Sequence, residues 1–212
     1  MTGLPSPRPA ITGDQRNAID RCFSPSNRTI GEVLGALQSV RERNEGGELG
    51  TWAKKTADTI YQRSPTSVLV ALRQMRVGRE WNIAQAFQHE YNIAARFMRH
   101  PDFVEGVTAR LIERRKERPA WAPGTLDEID EKEVDGFFEQ PPQLRLLEAG
   151  DRSAYREYPH AWLGLPREEE VVALNVGGEL QGEEIVQHFL RAKEGKVGVR
   201  EKVEEILERR KR

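Results

Sequence analysis

A mainly α fold is the expectation for this chain, with at most one short strand near residues 171–176. Three observations carry it. Through most of the first 140 residues apolar side chains recur three and four positions apart instead of alternating. Serine, threonine or aspartate stands just ahead of several of these runs, where a helix N-cap belongs. Glycine and proline punctuate the pattern at helix-length intervals.

Residues 1–13 are irregular, because Pro5, Pro7 and Pro9 cannot occupy a helix interior. Asp14 caps a short helix to about Phe23, which Ser24-Pro25 ends. Thr29 caps the next, with Glu32 completing a capping box and Val33, Leu34, Leu37 and Val40 as its apolar stripe. Gly46-Gly47 interrupts. A third helix spans about 48–62, with Leu49, Trp52, Ala53, Thr56 and Ile60 on one face. Ser64 as N-cap and Pro65 in the first turn start a fourth, whose buried stripe is expected at Val68, Leu69, Leu72 and Met75, closed by Gly78. A longer helix, about 80–99, is expected to bury Trp81, Ala84, Phe87, Tyr91, Ala94, Ala95 and Met98. His100-Pro101 leads into a helix over 102–112, followed by a basic tail that stops at Pro119 and docks Trp121. Thr125 and Glu128 form another capping box, and residues 130–138 one more helical piece. Pro141-Pro142 marks a boundary. Beyond it the chain is mixed and turn-rich to 170, then has the apolar run Val171 to Val176, the one plausible strand, and two helices over 183–193 and 196–211. The last is highly charged. Its stripe of Val203, Ile206 and Leu207 is expected to bury little and to fray, leaving residues 143–212 less ordered than 48–130. The domains are therefore drawn as 1–13, 14–140 and a charged extension over 141–212.

The chain is 37% apolar and 32% charged, which suits helices with narrow buried stripes or a piece that covers another domain. A net charge of −1 provides no global field for nucleic acid or acidic membranes. The single Cys22 rules out an internal disulfide framework, and beside Phe23 it reads as a buried thiol. No apolar run approaches the ~20 residues that span a bilayer. The N-terminus has no apolar targeting segment.

His89, His100, His160 and His188 show no pairing at metal-ligand spacing, so neither a metal nor a catalytic histidine is expected. Glu90 reads as a surface ion-pair residue and Tyr91 as a core aromatic. Gly106 inside a helix costs about 1 kcal/mol relative to alanine, which implies a close packing contact there. The run from Glu113 to Arg118 suits a helix end that complements the dipole.

Two blocks of residues carry a family resemblance. One is Asp102-Phe103-x-Glu105-Gly106-Val107-x-Ala109, Leu111-Ile112, Pro119-x-Trp121-x-Pro123 and Leu126-x-Glu128-Ile129. The other is Ser64-Pro65-Thr66-Ser67 with Leu72-Arg73-Gln74 and then Glu90-Tyr91. Together they resemble the helical C-terminal part of the crotonase (enoyl-CoA hydratase/isomerase) superfamily, and within it the 3-hydroxyisobutyryl-CoA hydrolase family, over roughly residues 14–140. The resemblance implies thioester hydrolysis in mitochondrial valine breakdown, with acyl-CoA as substrate and no separate cofactor. It also implies that the oxyanion loop and catalytic carboxylates lie upstream of residue 1, so that this chain is a fragment that does not hydrolyse the thioester alone. In crotonases a basic residue just after the apolar pair lies near the adenine or 3′-phosphate of coenzyme A. That position is Arg114 here, with Arg110 one turn earlier, and a guanidinium fork suits a phosphate. Glu113-Arg114 departs from the Asp-Lys usual in the hydrolases, and Thr108 replaces a frequent arginine.

The extension, with Tyr155-x-x-Tyr158-Pro159-His160 and Leu165-Pro166-Arg167 followed by three glutamates, is similar to that of fungal members. A fungal relative of the hydrolase serves in the mitochondrial small ribosomal subunit. That gives an alternative reading, an assembly component with mitoribosomal contacts or self-association. Without the upstream core, an apolar patch is expected on the surface of the helices at 48–98.

Overall fold

The computed structural model describes residues 11, 13–139, 144, 158–176, 178 and 180–211. The described residues contain helices and turns and no strand. They fall into two compact units.

The larger unit begins at Pro25. Helices α2 (Ile30–Arg43) and α3 (Glu48–Gln62) form an antiparallel hairpin that buries Val33, Leu37, Val40 and Ala53. The Thr29/Glu32 capping box is formed at the start of α2, as the spacing predicts. Gly50 makes the hairpin possible, since a Cβ there would sit 2.2 Å from the Asn44 carbonyl oxygen. Ser64 accepts from the Ser67 amide and, with Pro65, opens α4 (Pro65–Val77). Asn82 and Gln85 box the start of α5 (Ile83–Phe97). α6 (Pro101–Val107) runs on through a π turn at Thr108–Ile112, and a 3₁₀ turn at Leu126–Glu128 precedes α7 (Glu131–Asp135). The core of this part is Val70, Ile93, Val134 and Phe137, with Trp81 and Phe97 packed against it.

The buried faces of α4 and α5 differ from those expected. α4 turns Pro65, Thr66 and Val70 inward and leaves Met75 76% exposed. α5 buries Asn92 and Ile93 and exposes Ile83, Phe87, Tyr91 and Met98. The helix is apolar on two faces, and Ile93 and Phe97 won the interior because α4 and α7 supply partners for them. Tyr91 is therefore not a core aromatic. Of the stripe expected inside, Trp81 packs against the core while Phe87, Tyr91, Ala94 and Met98 lie on the surface.

The smaller unit contains α1 (Gly13–Cys22), α8 (Glu168–Leu174), α9 (Gly182–Ala192) and α10 (Val199–Arg210). Packing thus groups α1 with residues 158–212, where the pattern along the sequence groups it with 14–140. The run at 171–176 is helical over most of its length instead of a strand: Glu170 boxes the Arg167 amide at the start of α8, and Val171 turns into the core. A short apolar run is compatible with either period, and flanking glutamates at an N-terminus favour the helix. α10 also buries more than its charge implied. Val199, Val203 and Ile206 are fully inaccessible and meet Val171, Ile185, Val186 and Phe189. Each such side chain contributes roughly 1.5–3 kcal/mol of burial. Ala18 and Cys22 are buried on α1, which packs on α10. Arg209 closes the unit. Its side chain is 4% exposed and is ringed by Glu168, Glu205 and Asp20.

Candidate functional site

The residues that carry the strongest sequence signal converge around the start of α6. His100 caps this helix by accepting the Asp102 amide on Nδ1 at 3.2 Å, and its Nε2 lies 3.4 Å from Glu133. Asp102 is buried. One of its carboxylate oxygens accepts the Ser64 hydroxyl at 2.5 Å, and the other accepts the Ala122 amide at 2.8 Å. Serine, histidine and carboxylate are therefore neighbours in the wrong order for nucleophilic catalysis. A nucleophile needs the imidazole between hydroxyl and carboxylate. Here the carboxylate sits in the middle and accepts the hydrogen bond of the Ser64 hydroxyl. The cluster joins Ser64 to Asp102 across 38 positions and His100 to Glu133 across 33. Its one local signal is that Ser64 and His100 each precede a proline that opens a helix.

The same carboxylates anchor the segment 113–124. Glu105 accepts the Ala120 amide at 2.8 Å and pairs with Arg115 at 3.1 Å. Trp121 donates its indole N–H to the Gln62 carbonyl at 3.1 Å, and Arg118 donates to Tyr61 and Gly124 carbonyls at 2.8 Å each. The carbonyls at 61 and 62 are orphans at the C-terminus of α3, so this strap serves as its cap. Gly106 explains itself here: a Cβ would come 3.3 Å from the Trp121 ring. The matched residues Asp102, Glu105, Gly106 and Trp121 thus fasten one helix end to another.

Arg110 and Arg114 separate in role. Arg110 donates to the Arg115 and Lys116 carbonyls at 2.9 and 3.3 Å, closing the π turn. Arg114 is exposed, with a left-handed backbone at φ 53°, and its guanidinium has no partner among the described residues. Beside the strap a groove of about 530 Å³ is lined by Val68, Phe103, Val107, Leu111 and Trp121, with Arg110 and Arg63 as cations.

The remaining sequence candidates are dispersed. His89 stacks on Trp81 with centroids 4.3 Å apart, His160 meets Tyr158 edge-on and His188 meets Phe189 edge-on. Glu90 is exposed and has no ion pair among the described residues. Cys22 is buried. Among the described residues no group of histidine, cysteine or carboxylates has the arrangement of a metal site. No helix there is long and apolar enough to cross a membrane. The strongest electrostatics lie in the smaller unit. The hydrogen bond from Arg209 holds Glu168 below its ordinary range, and the fork of Arg200 pulls Glu183 down to about 2.

Comparison with known proteins separates these parts. The enoyl-CoA hydratase/isomerase family model matches residues 4–138. "Small ribosomal subunit protein mS47" of Neurospora crassa is 40% identical over 202 residues, which cover 94% of this chain and 39% of that protein. The Schizosaccharomyces pombe protein of the same name is 30% identical over 160 residues, 72% of this chain and 36% of its own length. A mitochondrial 3-hydroxyisobutyryl-CoA hydrolase of Dictyostelium discoideum is 28% identical over 148 residues, 57% of this chain and 39% of that protein. The chain thus spans well under half the length of these relatives.

Proposed function

The chain belongs to the enoyl-CoA hydratase/isomerase family, and from that premise we propose that it acts as a component of the mitochondrial small ribosomal subunit, with a former enzyme fold used for assembly. The protein is mitochondrial, as its relatives are. One observation carries the assembly reading over the catalytic one. Similarity to the ribosomal protein of N. crassa extends over 94% of the chain, so it takes in most of residues 158–212, which lie outside the family match ending at 138. Similarity to the Dictyostelium hydrolase stops at 57% of the chain. Most of the unit built on α8, α9 and α10 is therefore shared with the ribosomal protein of N. crassa.

The test is sedimentation. Epitope-tagged protein expressed in its own organism is expected to travel with small ribosomal subunits on a sucrose gradient of mitochondrial lysate. Protein confined to the top of the gradient sinks the proposal. The purified chain is expected to give no turnover of 3-hydroxyisobutyryl-CoA above background. Activity abolished by one substitution within residues 1–212 would restore the hydrolase reading.

A second reading concerns coenzyme A. The exposed Arg114 guanidinium, unpartnered among the described residues and four positions after the groove-lining Arg110, favours retained contact with the adenine nucleotide end of an acyl-CoA. Titration calorimetry with coenzyme A reads it directly. Binding that Arg114→Ala weakens about tenfold supports the reading, and absence of binding removes it.

A further inference from the structure

A second groove, of about 840 Å³, opens on the other side of α4. Its floor is the stripe that sequence periodicity assigns to the core: Leu69, Leu72 and Met75. Leu69 packs against the core and Leu72 is half-buried, while Met75 is 76% exposed, so the stripe runs from the edge of the interior out to the surface. Two margins border it, and both are fixed to α4. The segment leading into α2 is tied by Arg76, which donates to the Asn27 carbonyl at 2.9 Å. The segment 126–135 is tied by the ion pair of Arg73 with Asp135.

The margins carry charge of different sign. Arg28, Arg76 and Arg79 line the groove near the start of α2, where the positive end of that helix adds to them. The Arg28 side chain faces the Glu32 carboxylate at the start of α2 only through its charge, and Arg79 meets its exposed neighbour Glu80, so both guanidinium groups border the groove without a buried partner. Asp127 and Glu131 line the other margin. An apolar floor with leucines and a methionine, arginines on one border and carboxylates on another, is a receptor for an amphipathic helix laid along it. The carboxylates disfavour a phosphodiester backbone, which presents negative charge to every border it touches.

We propose that this groove seats an amphipathic helix of a partner polypeptide, its apolar stripe on Leu69, Leu72 and Met75 and its acidic flank against Arg28, Arg76 and Arg79. The proposal deepens the assembly reading, since it names the kind of subunit contact such a component needs. Charge complementarity fixes the orientation: Asp or Glu of the partner faces the start of α2, and any Lys or Arg it carries faces Asp127 and Glu131.

The experiment places photo-reactive benzoylphenylalanine at Met75 of the full chain, a position whose exposure leaves the fold untouched. The chain is irradiated in mitochondrial extract, separated on a sucrose gradient, and the cross-linked segment is sequenced. The expected adduct is one polypeptide segment with apolar residues three and four apart beside acidic ones. Adding Arg28→Glu with Arg79→Glu is expected to lower its yield at least fivefold. An adduct with RNA, an adduct with a second copy of this chain, or a yield indifferent to the charge reversal overturns the proposal. The two readings fail separately. Protein that sediments with small subunits yet gives no adduct removes the groove and keeps the assembly reading. The expected adduct in fractions without small subunits keeps the groove and removes the assembly reading.

Discussion

In the unit of α1, α8, α9 and α10, Val171, Ile185, Val186, Val199, Val203 and Ile206 are each at most 1% exposed and touch one another as a single cluster. In the unit of α2 to α7, the cluster between α4, α5 and α7 rests on Val70, Ile93, Val134 and Phe137, while Met75, Ile83, Phe87 and Met98 stand more than half exposed. The first unit gathers the apolar residues of α8, α9 and α10 into one cluster beside a buried arginine, while Trp162, Val176 and Val197 stand exposed outside it. The second spends its polar groups on fastening helix ends together and leaves apolar surface available. The charged extension that the sequence marks as poorly packed is the part with the drier core. Apolar surface left outside is the mark of a part that covers or is covered by something else, and both units carry some of it.

The largest break in this comparison comes from Arg209→Leu. It leaves Glu205 without its cation and Glu168 with Arg210 alone, and removing one partner of a buried ion cluster costs about 3–5 kcal/mol. Amide exchange in α8, α9 and α10 is expected to accelerate by two or more orders of magnitude, with α2 to α5 unchanged. Uniform acceleration in both units would show that they do not unfold separately.

Next is the strap. Trp121→Ala removes a ring and an indole hydrogen bond to the end of α3 and is expected to cost about 2 kcal/mol by denaturant titration, less than for a fully buried ring. Gly106→Ala alone sets the helix preference for alanine, about 1 kcal/mol, against a Cβ 3.3 Å from that ring. In the Trp121→Ala background the same change is expected to be stabilising. A double-mutant cycle with no coupling refutes the contact.

A pH titration sharpens the contrast further. Glu168 is held below its ordinary value chiefly by the hydrogen bond from Arg209. A carboxylate with a depressed folded-state pKa contributes stability that is present above its unfolded value of 4.5 and is lost as pH falls through the folded value. Acidification below pH 4.5 is therefore expected to loosen α8 and α10 through this contact, and Glu168→Gln to flatten that dependence. A variant with the wild-type acid profile counts against the assignment.

The smallest expected effect is Thr66→Val. Thr66 is fully buried and its hydroxyl has no hydrogen-bond partner among the described residues. An isosteric apolar replacement removes that desolvation penalty and is expected to stabilise the larger unit by about 1 kcal/mol. Destabilisation of that size would mean the hydroxyl is satisfied.

Much of the local structure was legible in the sequence because its causes are local. The Thr29/Glu32 box, the Ser64-Pro65 start of α4 and the extent of α3 depend on groups within one turn of each other, and all three stand where their spacing puts them. Gly106 announced a close contact by its cost, without saying that Trp121 makes it. The tertiary structure alone decided the rest. α5 has apolar residues on two faces, so periodicity could not choose which one meets α4 and α7. The run at 171–176 suits either period until Glu170 caps it as a helix. The charge on α10 read as solvated until Arg209 found Glu168 and Asp20, which lie far away in sequence. Among the motif residues, the sequence determined which matter; only the fold decided that Asp102 and Glu105 hold amides while Arg114 stays open to solvent, because hydrogen-bond partners are chosen by proximity in space.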